Sequence, residues 1–170
     1  AGHKPVYVDV KSDTLTIDPK DLESKITSKA KVILAQHTFG NTPDYAAIMK
    51  ISKEHHLSVV QDCAHTLEAF EIKGEAAFFS LGRGKVASSV SGGIVVTNDK
   101  NLSHKLRQMR DSLPKPAKLW VLRQLLYTIK MPFIEYIYRR SFLAGRLLHK
   151  LVKPLFFKPV LEIEKIGGRP

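Results

Sequence analysis

Two apolar periods alternate along the first hundred residues, and this alternation limits the possible folds more than any other property of the chain. Residues 6–10, 31–36, 57–61, 76–80 and 93–97 are short apolar runs of strand length. Between them lie segments with helix-start chemistry. Asp18-Pro19 has the form of a cap followed by proline at the first helical position, which predicts a helix over 20–28. Pro43-Asp44 opens a second helix in which Ala47, Ile48, Ile51 and Ser52 share one face, and residues 99–110 form a third. Strands interleaved with helices of about ten residues predict crossover units, hence an α/β fold with a mostly parallel sheet covered by helices. In such sheets ligands collect at the carboxyl ends of the strands.

Beyond Pro114 the pattern changes. Apolar residues from Trp120 to Leu151 recur at helical spacing with Lys and Arg between them, and Pro132 predicts a break into two helices. Between His104 and Lys158 thirteen Lys and Arg face only Asp111 and Glu135, so the net charge of +11 resides in this part of the chain. The expected organisation is a sheet domain over residues 1–113, a basic amphipathic helical segment over 114–159 and a loosely ordered tail over 160–170. A 44% apolar and 25% charged composition excludes a disordered or fibrous chain. The single cysteine, Cys63, excludes an internal disulfide. The first residues lack the pattern of a secretory signal, and no uncharged apolar run approaches bilayer length, so a soluble, cytoplasmic protein is expected.

Two residues at strand ends carry chemistry. Asp62 closes the run Leu57-Ser58-Val59-Val60-Gln61-Asp62, and Lys85 follows the run Ala76-Ala77-Phe78-Phe79-Ser80 by a glycine-containing loop. An amine and a carboxylate placed this way suit pyridoxal 5'-phosphate. The amine can form a Schiff base with the cofactor aldehyde, and the carboxylate keeps the pyridine nitrogen protonated, so that the ring accepts electrons. Each residue also has a plain structural reading: Asp62 as a turn or cap residue, and Lys85 as a solvated loop lysine. His37 either lines a site or packs beneath it, and Cys63 reads as a small buried apolar residue. His55-His56 fall at a helix end, where positive side chains suit the dipole, and no ligand spacing points to a metal.

Four segments in order extend this reading: Pro5-Val6-Tyr7-Val8-Asp9-Val10; Gln36-His37-Thr38-Phe39-Gly40; Gln61-Asp62-Cys63-Ala64-His65-Thr66; and Phe78 through Lys85 to Gly92-Gly93-Ile94-Val95-Val96-Thr97-Asn98-Asp99. Together they resemble the DegT/DnrJ/StrS family of sugar aminotransferases over about residues 1–111. The resemblance implies part of the large domain of an aspartate-aminotransferase-like (fold type I) enzyme and a homodimer. It implies transfer of an amino group, usually from glutamate, to a nucleotide-linked keto sugar. By the same resemblance, catalytic Lys85 matches the Schiff-base lysine, Asp62 the residue at the pyridine nitrogen, His65 the residue facing the ring, and Ser80 a donor to the cofactor phosphate. It further implies a fragment or a pared-down relative, because the family's earlier phosphate contacts and its small C-terminal domain have no counterpart here.

Two rival readings stand beside this one. A pyridoxal-phosphate sugar dehydratase of similar fold would be expected to replace the lysine, so Lys85 favours transamination. An inactive interaction module would use the basic helices of residues 114–159 on an anionic membrane surface or a partner. No nucleic acid is expected, because no reader motif accompanies the charge. The plain reading of those helices is a pair packed on the sheet or the dimer partner with its charges in solvent.

Overall fold

A computed structural model of the chain describes residues 2–67, 71–82 and 84–156. They fall in two compact units, Lys4–Pro114 and a second made of the residues from Lys115 onward with Gly2 and His3.

In the first unit the elements run α1 (Pro19–Lys25), β1 (Val32–Gln36), α2 (Tyr45–Glu54), β2 (Ser58–Asp62), β3 (Ala76–Ser80), β4 (Gly93–Val96) and α3 (Lys100–Ser112). Aspartates start all three helices. The Asp18 carboxylate accepts from the Lys20 amide at 2.9 Å, Asp44 from Ala47 at 3.1 Å, and Asp99 from Asn101 and Leu102 at 2.7 and 3.2 Å. Each such cap satisfies amides that a first helical turn leaves open, at about 1 kcal/mol. Helix α1 stops three residues earlier than its sequence predicts. Ile26 is extended, and Thr27 turns the chain by accepting the Ala30 amide on its carbonyl.

The sheet order is β1-β2-β3-β4, with the first three strands parallel and β4 antiparallel to β3. The mostly parallel α/β sheet is therefore present in mixed form. Its core lies between the sheet and α1–α2: Ile33 and Ala35 from β1 and Val59 from β2 meet Leu22, Tyr45, Ile48 and Ile51. Burying a side chain of Ile48's size fully is worth about 2–3 kcal/mol, and Ile48 is completely enclosed.

The expected strand over residues 6–10 does not form. Only Val10 pairs, in one isolated bridge with Ile17, and Val6 and Tyr7 stand in solvent. Helix α1 takes up the backbone of this segment instead: the Asp9 amide donates to the Asp21 carboxylate at 2.6 Å, and the Asp9 carbonyl accepts from Asp18.

The second unit is a pair of contacting helices, α4 (Lys118–Arg140) and α5 (Phe142–Phe156). The expected break at Pro132 is not there, since Pro132 lies inside α4 and the chain turns at Ser141 instead. Ser141 has an extended backbone (φ −153°) and its side chain accepts from the Ala144 amide at 3.4 Å, which starts α5. Gly145 then lets the helices close up: a β-carbon there would lie 2.6 Å from the Tyr138 ring. A proline interior to a helix removes one hydrogen bond and costs about 3 kcal/mol, but the turn goes where a cap and a glycine can build it. The tail expected over 160–170 lies outside the described residues.

Candidate functional site

The parallel register brings the carboxyl ends of β1, β2 and β3 to one edge. Gln36 pairs with Asp62, and Asp62 with Phe78. Two hydrogen bonds fasten the chain just past these ends: the His37 amide donates to the Asp62 carbonyl at 2.9 Å, and the Cys63 amide to the Phe78 carbonyl at 2.8 Å. Asp62, His65 and Ser80 thus come together at the edge where a ligand of such a sheet belongs.

At Asp62 the side chain bends back to accept from the Ala64 amide at 2.9 Å, which fixes the carboxylate in an Asx turn. Its negative charge acts on the buried groups around it. Burial holds the His37 imidazole below its usual value, and Asp62 opposes this. The Cys63 thiol is pushed up to about 11, by burial first and by Asp62 second. The Tyr45 phenol is raised, chiefly by burial. His37 is itself buried, with Nε2 2.9 Å from the Tyr45 hydroxyl, so it packs beneath the edge.

His65 follows Asp62 by three residues. Its ring stacks on Phe39 at 5.5 Å between centroids and 16° between planes. Its Nδ1 is buried without a partner among the described residues. A buried polar atom left unpaired costs about 1–3 kcal/mol, so a polar ligand atom arriving here would be stabilised. Phe39 had no signal in the sequence as a site residue. It occupies a left-handed backbone (φ 53°) inside a short 3-10 turn, Thr38–Gly40, and is largely exposed.

Ser80 ends β3 and its hydroxyl oxygen accepts from the Gly82 amide at 3.3 Å. Accepting this bond leaves the hydroxyl hydrogen able to donate. The loop carrying Lys85 leaves and re-enters the sheet at the same edge. Ser80 pairs with Gly93, the Leu81 amide donates to the Gly92 carbonyl at 2.9 Å, and the Ser89 amide to the Leu81 carbonyl at 3.0 Å. Lys85 is half-buried in this loop, its amide bonded to the Gly82 carbonyl at 3.2 Å. Among the described residues no carboxylate pairs with its amine. No group of metal-ligating side chains occurs among the described residues.

The carboxyl edge of the sheet thus carries a carboxylate, an imidazole and a hydroxyl, and the loop that bears Lys85 begins and ends there. Known proteins place the chain more closely. It is 32% identical over 152 residues to the pleiotropic regulatory protein of Geobacillus stearothermophilus, covering 79% of this chain and 41% of that protein. It is 36% identical over 110 residues to the GDP-perosamine synthase of Escherichia coli O157:H7, covering 59% of this chain and 29% of that one. The solved structure of Helicobacter pylori PseC, an aminotransferase involved in the biosynthesis of pseudoaminic acid, superposes with a TM-score of 0.61 at 29% identity, over 69% of this chain and 33% of that one. The chain therefore spans less than half the length of the relatives it matches. The model of one family matches residues 1–131, which include the whole strand edge just described, and the chain belongs to that family, the DegT/DnrJ/EryC1/StrS aminotransferases, whose cofactor is pyridoxal phosphate.

Proposed function

We propose that this chain supplies the cofactor-holding part of an aminotransferase that moves an amino group from an amino acid, glutamate in the first instance, to a nucleotide-linked keto sugar. The observation that carries the reading is the gathering of Asp62, His65, Ser80 and the two ends of the Lys85 loop at one sheet edge. The bound cofactor would supply an electron sink that stabilises negative charge on a substrate carbon. Asp62 would hold a proton on the ring nitrogen through a charge-assisted bond. Lys85 would anchor the cofactor and, once released, carry a proton from one carbon to another, as base and then acid. His65 Nδ1 would meet a polar atom on the ring, and the Ser80 hydroxyl would donate to the phosphate.

The nucleotide-linked substrate is supported by the name of the GDP-perosamine synthase relative. Homodimerisation is part of the same reading, supported by the family resemblance. A cytoplasmic location belongs to the same reading, since a buried, unpaired Cys63 suits a reducing compartment.

Borohydride reduction in the presence of pyridoxal phosphate tests the assignment. The expected result is a phosphopyridoxyl adduct on Lys85 by mass spectrometry, with a visible absorption band that Lys85→Ala removes. Asp62→Asn should keep the adduct but weaken cofactor binding roughly ten- to hundredfold, the equivalent of about 1.5–3 kcal/mol for a charged hydrogen bond. An adduct on another lysine, or a band that survives in Lys85→Ala, would refute the assignment. Amino transfer from glutamate to a GDP-linked keto sugar, assayed with the protein in its full natural length, tests the substrate class.

A further inference from the structure

We propose that the α4–α5 hairpin lies in the plane of a membrane surface rich in anionic lipid, with its apolar side chains in the acyl boundary and its basic ones among the headgroups. The inference does not depend on the amino-transfer reading.

The first ground is a continuous apolar line on α4. Leu122, Leu125, Ile129, Phe133 and Tyr136 recur at steps of three and four, and all five are exposed. At 1.5 Å per residue they span about 21 Å of one helix face. At about 100° per residue, Lys118 and Arg140 fall in the same sector, one at each end of the line. On α5, Leu143, Leu147 and Leu151 form a second exposed line, bordered on one side by Arg146 and Lys150. The hairpin's own packing uses other residues: Ile134 is buried, Gly145 sits under Tyr138, and Tyr138 meets Phe142 edge-on at 6.0 Å. Exposed apolar surface of this extent marks an interaction site.

Charge selects the occupant. Across α4 and α5 eight Lys and Arg face Glu135 alone. A second copy of the chain would bring the same positive field, and like charge opposes pairing through this face. A nucleic acid would match the charge but would leave the leucines, Ile129 and Phe133 in water. An anionic bilayer surface satisfies both: apolar side chains sink about 5–10 Å into the boundary, and Lys and Arg stems run up to the headgroups. Neither described helix is long and apolar enough to cross a membrane, so the hairpin would lie along the surface.

Vesicle co-sedimentation of the full chain tests this. On phosphatidylcholine vesicles containing about one quarter phosphatidylglycerol, the expected result is salt-sensitive binding. Binding to pure phosphatidylcholine should be about tenfold weaker or less. Arg146→Gln with Lys150→Gln should lower partitioning about tenfold or more. Ile129→Gln, Phe133→Gln, Leu143→Gln and Leu147→Gln together should abolish it. Should the fourfold variant lose helicity by circular dichroism, Leu143→Gln with Leu147→Gln alone carries the same test at the exposed end.

Three outcomes overturn the proposal. One is no vesicle binding at any lipid composition. Another is binding lost with the basic residues but indifferent to the apolar ones, which describes a polyanion site. The third is concentration-dependent association, without vesicles, that the apolar substitutions remove, which describes a second copy.

Discussion

Cys63 sits one residue past Asp62, almost fully enclosed, with its thiol pushed up to about 11 by burial and then by the neighbouring carboxylate. A reactive cysteine needs the opposite environment, accessible and electropositive. Ellman's reagent at about pH 8 should therefore modify native Cys63 roughly a hundredfold more slowly than the urea-unfolded chain. Rapid native modification would show that the strand edge opens in solution. The same small region shows what single residues reveal in advance. Asp62 was legible because a carboxylate ending an apolar strand has a fixed place in a parallel sheet. His65 came from the family resemblance and Ser80 from its place five residues before Lys85, and both positions fall at the carboxyl edge of the sheet. Phe39 was not legible: its stacking on His65 joins positions 26 apart through a left-handed backbone that phenylalanine rarely adopts. Nor could the sequence choose between the two places open to His37, because its partner Tyr45 comes from the next helix.

At the scale of elements, the connection between β2 and β3 depends on Gly74. A β-carbon at that position would lie 2.2 Å from the Val59 carbonyl oxygen, a backbone atom that cannot step aside. Its neighbours are tied to the same strand: the Val59 amide donates to the Glu75 carboxylate at 2.6 Å, and the Lys73 amide to the Gln61 side chain at 2.7 Å. Gly74→Ala should thus cost at least about 1–3 kcal/mol, the usual cost of overpacking, read as a lower urea midpoint with an unchanged slope. A midpoint equal to wild type would mean that the 63–75 connection adjusts freely. Elements with local start chemistry were legible. Asp18, Asp44 and Asp99 each begin a helix where their sequence predicts, because a cap needs only its own next few residues. Residues 6–10 misled because a strand needs a partner, and their backbone bonds went to α1. Pro132 misled for a related reason. A helix packed on α5 keeps its course past one missing hydrogen bond, and the chain turns at Ser141, where a cap and Gly145 build the turn.

For the molecule as a whole, the sheet raises the question of what covers its second side. Parallel strands are ordinarily buried on both faces, yet among the described elements of residues 4–114 the core forms on one. Along β1, Ile33 and Ala35 face α2, while Val32 and Leu34 point the other way and are each more than half exposed, as is Val95 on β4. Side chains alternate along a strand, so adjacent positions test opposite faces of one sheet. Ile33→Lys buries a charge without a partner and should unfold the unit, with a loss above about 3 kcal/mol. Leu34→Lys, one residue on, should leave the urea midpoint within about 0.5 kcal/mol of wild type. It should also reduce binding of an apolar dye such as anilinonaphthalene sulfonate by the 170-residue chain. If Leu34→Lys instead destabilises as strongly as Ile33→Lys, the second face is packed in solution. Sedimentation analysis at two protein concentrations then separates cover by another copy, which depends on concentration, from cover within the chain, which does not.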